Sequence, residues 1–241
     1  MLWLPRNPCE TPVRKGTHVT RAPHVLLSSL LLATGLLSSL AAQAARITVT
    51  DAATGKPLPE AVVEVDIEGA SKAAPSSVDV YQRNAAFHPH VSAVSVGSRV
   101  SFPNRDTTRH HVYSFSPTGV FDLNLYRQET PPPVPFDTAG VAVLGCNIHD
   151  HMQAFIVVSD AEKFAITDEN GQVNLEDLPP GEHRLRVWHP RLEETHQQWW
   201  EAPRPVSASD LRSVSLSLSV AAKPAAEQSS LQQRFNRALS Q

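Results

Sequence analysis

The stretch Pro135–Val158, PFDTAGVAVLGCNIHDHMQAFIVV, decides how this chain is read. Asp137–Gly140 has the residues of a turn, and Val141–Gly145 is a short apolar strand that ends on Cys146. A loop carrying His149 and Met152 follows, and a second apolar strand leaves at Phe155. One short connection therefore presents a thiol, an imidazole and a thioether, at a C-x2-H-x2-M spacing. Upstream, SVGSRVSFPNRDTTRHHVYSF (95–115) reads as a strand, a turn, the pair His110-His111 and another strand.

Working outward, the period-two pattern persists. Val63, Val65 and Ile67 alternate with Glu64, Asp66 and Glu68, and 214–220 alternates apolar residues with serine. Turn clusters such as TGKPLP, DENG and LPPGE separate the runs. No strong helical pattern precedes the C-terminus, where Leu231, Phe235 and Leu239 lie at i, i+4 and i+8 and suit a short amphipathic helix or a frayed tail. The expected class is all-β, built from sandwiches.

The N-terminus reads differently. Residues 1–24 carry Arg6, Arg14, Lys15 and Arg21, Val25–Leu40 is an apolar run, and Ala42-Gln43-Ala44 follows. That is the pattern of a cleaved export signal over 1–44, with the mature chain starting at Ala45 in the periplasm and keeping no stable membrane span. Without 1–44 the chain has 17 basic and 23 acidic residues, a net charge of −6. An acidic body argues against nucleic acid as a partner. The mature chain also keeps one cysteine, Cys146, and one methionine, Met152. An unpaired thiol in an oxidising compartment needs an occupant, and a metal is the simplest.

Taken singly, Cys146 suits a buried core thiol, Met152 a gap filler and His149 a surface residue. Their joint spacing points to a metal instead. Thiolate and thioether are soft donors that favour Cu(I), and imidazole suits either oxidation state of copper. Zinc accepts cysteine and histidine but gains little from methionine.

On these residues, 94–158 resembles the cupredoxin (blue copper) family in its amicyanin/plastocyanin-like form, whose ligand loop is C-x2-H-x2-to-4-M; Cys146, His149 and Met152 make its shortest form, C-x2-H-x2-M. The family's remaining ligand is a histidine eight residues after an aromatic. Counting from Phe102 gives His110, with Asn104 in register. The resemblance implies copper held by His110, Cys146, His149 and Met152. Arg109 stands where the family has proline, and His111 where it has an asparagine that braces the ligand loops. His111 is therefore the alternative ligand. The whole chain also resembles exported proteins labelled methylamine utilization protein, a label that rests on the amicyanin similarity.

A second resemblance flanks the first. ITVTDAATGKPLPEAVVEVDI (47–67) and FAITDENGQVNLEDLPPGEHRLRVWHP (164–190) look like the early and late strands of a carboxypeptidase-regulatory-like, transthyretin-like or Ig-like sandwich. The expected organisation is thus a signal at 1–44, the first part of this sandwich at 45–75, and a cupredoxin Greek-key β-sandwich inserted at 76–160. The sandwich resumes at 161–220, and a tail occupies 221–241; the alternative is a single larger barrel in which 47–67 pairs with the copper domain. The cupredoxin resemblance implies electron transfer with a redox partner such as a c-type cytochrome or a dehydrogenase. Copper handling without redox turnover is the alternative, with His88, His90, His111 and His151 as a second metal site or solvent-facing residues. A copper-stabilised interaction module is another. No catalytic triad, phosphate-binding glycine loop or carboxylate pair marks an enzyme.

Overall fold

The computed structural model describes residues 43–207 and 213–219, so all but the last two residues of the stretch read as an export signal, and the C-terminal tail from 220, lie outside the described residues. Among the described residues there are eighteen strands, numbered in chain order, and no helix. The chain is all-β. Two sandwiches divide these strands.

In the first, β1 (Gln43–Asp51) lies between antiparallel β14 (Gln172–Leu178) and parallel β18 (Ser213–Leu216). The facing sheet centres on β2 (Val62–Asp66), which pairs antiparallel with both β13 (Lys163–Ile166) and β15 (Glu182–Trp188). Short β16 (Trp200–Glu201) and β17 (Val206–Ser207) finish along β15. Ile47, Val49, Val63, Val65, Leu175, Val187 and Leu216 fill the space between the sheets. The turn that carries the chain from β13 in one sheet to β14 in the other contains Gly171, whose φ of +67 suits glycine. A Cβ there would also come within 2.5 Å of the Val49 carbonyl oxygen.

The second sandwich holds the quoted stretch. Its larger sheet runs β6 (Val91–Ser95), β12 (Gln153–Ser159), β11 (Gly140–Gly145), β8 (His110–Ser116), β9 (Gly119–Tyr126). The smaller sheet is β10 (Val134–Phe136), β7 (Ser98–Ser101) and β3 (Ser77–Asp79), and β4 (Tyr81–Arg83) pairs with β5 (Ala86–His88). The proline-rich stretch at 131–135 is therefore part strand, since Pro135 sits in β10, an edge strand where its missing N–H costs no ladder bond. Phe102, Val112, Phe136, Leu144 and Ile156 form the core between the sheets.

The two sandwiches meet along an apolar seam of Val62 and Trp188 from one side and Val91, Val141, Phe155 and Val157 from the other. The Phe155 and Trp188 rings lie 5.4 Å apart. Each such large side chain contributes roughly 1.5–3 kcal/mol by leaving water. This seam changes the reading of β2. Alternation puts Glu64 on the face opposite Val63 and Val65, and Glu64 is buried because that second face of the sheet is covered as well. Arg186 pairs with it and reaches on to Asp160 at 2.7 Å. Burial pushes the Glu64 carboxyl up, with Arg186 opposing it.

Candidate metal centre

Strand parity sets the site. On β8, His110, Val112 and Ser114 turn inward and are buried, while His111, Tyr113 and Phe115 turn to the outer face. Cys146 follows the last residue of β11, the neighbouring strand, and its thiol is buried in the same core as Phe102 and Val112. The loop from 146 to 152 folds back on itself, with the Met152 amide donating to the His149 carbonyl at 2.9 Å.

Three donors converge. Cys146 Sγ lies 3.9 Å from His110 Nδ1 and 3.7 Å from His149 Nδ1. One donor atom from each of these three residues lies within 4.8 Å of the others. An ion bonded at about 2.3 Å to sulfur and about 2.0 Å to nitrogen, in a trigonal arrangement, separates those two donors by about 3.7 Å. The spacing therefore fits three ligands of one ion. Met152 is 2% exposed and packs in the core that contains Cys146, so a thioether closes the buried side of the loop.

His110 is held from behind. Its Nε2 lies 2.8 Å from Asp106 Oδ2, leaving Nδ1 directed at the thiol. Such an outer carboxylate fixes the ring's tautomer and orientation. Asp106 is itself anchored by the amides of Asn84 and Ala85 at 2.7 and 3.0 Å. Burial works to raise the Asp106 carboxyl, but those amides and His110 outweigh it and hold it below the ordinary carboxylate value. Asn104 completes the brace by donating to the carbonyls of Thr108 and Tyr126 and accepting from the Asp106 amide. Arg109 thus ends a loop that Asn104 and Asp106 tie down, and His111 lies in β8 itself. Asp106 was missed in the sequence. Its position four residues before His110 was the available signal.

The other histidines do not gather. His111 Nε2 lies 2.6 Å from Asp122 Oδ1 on the opposite face of the sheet. His88 pairs with the Arg83 carbonyl, His90 with Glu60, and His151 with the Ala85 carbonyl. Among the described residues, His110, Cys146 and His149 make the one group of three such donors. Trp188 is buried in the seam between the sandwiches, and Trp199 lies against Arg186.

No family model and no curated protein matches the chain. Solved structures share part of it. A reduced amicyanin mutant is 19% identical over 40% of this chain and 98% of its own, at a TM-score of 0.33. Another reduced amicyanin mutant is 22% identical over 40% and 99%, at 0.32. A Cu-containing nitrite reductase from Thermus scotoductus SA-01 is 24% identical over 47% of this chain and 28% of its own, at 0.33.

Proposed function

We propose that this protein is an exported blue-copper electron carrier, in which His110, Cys146, His149 and Met152 hold one copper. One observation carries the reading: two imidazole nitrogens converge on a buried thiol, 3.9 and 3.7 Å away, beside a buried methionine. Cysteine and two histidines with a weak methionine are the donor set of blue-copper sites, and a bound copper supplies a one-electron couple.

The protein's own part is to hold these donors still. Cys146, His149 and Met152 share one tight loop, and His110 is braced through Asp106 and Asn104. A braced set moves little when the ion's charge changes, which suits electron transfer rather than bond chemistry. Phe102, Val112 and Met152 keep water from the inner side of the thiol. On this reading 76–160 is the metal-carrying domain, set into a regulatory-like sandwich made by 45–75 and 161–220. Residues 1–44 direct export to the periplasm and are removed. The partner is a redox protein such as a c-type cytochrome or a dehydrogenase, and the chain catalyses no reaction of its own.

The test is anaerobic titration of the purified protein with Cu(II), followed by voltammetry and chelator challenge in both oxidation states. An intense visible thiolate band, reversible cycling and slow metal release in both states are expected. A colourless complex would sink the blue-copper reading. Fast release in one oxidation state would replace the carrier of electrons with a carrier of copper.

A further inference from the structure

Strands β4 and β5 form a tight hairpin in which Arg83 faces Ala86, so that Asn84 and Ala85 alone make the turn. Both turn residues have positive φ, +56 and +52, and neither is glycine. That backbone suits a two-residue hairpin, but each Cβ strains it. Such strain persists where the surroundings fix the backbone. Here a carboxylate does so: the Asn84 amide donates to Asp106 Oδ1 at 2.7 Å and the Ala85 amide to Oδ2 at 3.0 Å. The root of the hairpin is fixed as well. Gln82 is fully buried, its amide donates to the Pro103 carbonyl at 3.0 Å, and its Oε1 accepts from the Tyr126 hydroxyl at 2.9 Å. The Arg105 guanidinium lies 3.9 Å over the Tyr81 ring.

Ala85 is bonded on both sides of its Cα. Its amide is tied through Asp106 to Nε2 of His110, which lies 2.8 Å from the same carboxylate oxygen. Its carbonyl accepts from Nε2 of His151 at 3.1 Å. His151 sits in the ligand loop between His149 and Met152, and its ring lies 5.9 Å from that of His149. One residue of the hairpin therefore links the ligand on β8 to the loop that carries the other three. His149 has the greater need of that link. It is half-buried where His110 and Cys146 are buried, and no carboxylate stands behind its ring among the described residues. Its ring neighbours are His110, at 5.0 Å, and His151. His111 cannot make the link, because it faces Asp122 on the other side of the sheet.

We propose that the β4–β5 hairpin bridges the two halves of the metal centre, and that His151 is the positioning residue through which it holds the ligand loop. The inference rests on the blue-copper reading. His151 is assigned no bond to the ion. A loop tied at His151 cannot carry His149 away from His110 without breaking the bond to Ala85 or pulling the turn off Asp106. A site whose ion changes charge while keeping its ligands needs that constraint.

The test compares His151→Phe, which keeps a ring beside His149 but offers Ala85 no donor, with His151→Gln, which keeps an N–H donor. His151 is exposed, so neither change disturbs the core. Both variants should develop the thiolate band with Cu(II). Copper affinity, measured against a competing chelator, should fall about tenfold in His151→Phe and distinctly less in His151→Gln. The double variant Asp106→Asn/His151→Phe should lose less than the product of the two single losses, because either change opens the same chain of bonds. A second readout needs no copper. In the metal-free protein the Ala85 amide should exchange its hydrogen slowly, and faster in His151→Phe, although 66 residues separate the two positions. Four results would each overturn the bridge: unchanged affinity in His151→Phe, equal losses in both single variants, multiplied losses in the double variant, or Ala85 exchange that His151→Phe leaves untouched. A lowered urea midpoint in both metal-free single variants would also overturn it, since His151 would then serve folding rather than the site. If the unaltered protein develops no thiolate band, the copper reading falls and the positioning role falls with it. An intact band with affinity unchanged in His151→Phe sinks the bridge alone.

Discussion

Nδ1 of His110 and Sγ of Cys146 lie 3.9 Å apart although 36 residues separate them in the chain. The contact exists because β8 and β11 are adjacent in one sheet, with Tyr113 opposite Gly145. His111, one residue later, faces Asp122 on the other side of that sheet. His110→Ala should therefore abolish the visible band in a Cu(II) titration, and His111→Ala should keep it. A band that survives the first change and disappears in the second would exchange their roles.

Asp106 gives the site a second handle. Asp106→Asn leaves all four proposed ligands in place but weakens the grip on His110 Nε2. Copper affinity should fall about 10–100-fold, with the reduction potential shifted and the band retained. Asp106→Glu should recover part of the affinity. Competition against a chelator of known affinity measures the first effect and voltammetry the second. An unchanged affinity and potential in the asparagine variant would remove Asp106 from the metal's support.

The seam between the sandwiches should be a major store of stability. Trp188 is fully buried against Phe155, and its indole N–H donates to the His196 carbonyl at 2.9 Å. Trp188→Ala should cost about 3–5 kcal/mol in denaturant unfolding, and Trp188→Phe distinctly less. A loss below about 1 kcal/mol in the alanine variant, far under the range for such truncations, would mean that the sandwiches are held together elsewhere.

His189 predicts an acid limb. Burial lowers it to about 4 from the ordinary 6.5, with nearby Arg191 acting in the same direction. Its Nδ1 already accepts from the Arg191 amide at 3.1 Å, so a proton there would break a buried hydrogen bond. The unfolded chain then binds more protons than the folded one between pH 6.5 and about 4. The stability that neutral His189 provides is complete above pH 6.5 and declines as pH falls toward 4, by up to about 3 kcal/mol. His189→Asn should flatten that decline in urea midpoints measured from pH 7.5 to 4.5. An identical decline in the variant would assign the acid limb to other groups.

Much of this was legible in the residues. Period-two alternation and turn clusters called for an all-β chain because side chains on a strand alternate between two faces. The same rule could not give the burial of Glu64, since alternation shows that a strand has two faces but not whether the second is covered. Here the other sandwich covers it. Asp106 escaped notice for a related reason. A lone aspartate in a loop acquires its role only when His110 turns a nitrogen toward it.

By itself the sequence determined what lies close along the chain. Six peptide links hold Cys146, His149 and Met152 together, and local geometry gives them little freedom to part. The tertiary structure alone decided what comes from afar. Which of two adjacent histidines meets the thiol depends on the parity of β8 within its sheet, because neighbouring residues on a strand point in opposite directions. Which strands of the five-stranded sheet lie under the seam depends on where β2 and β15 of the other sandwich come to rest. Both are contacts between distant segments, and composition and spacing carry no record of them until the chain has folded.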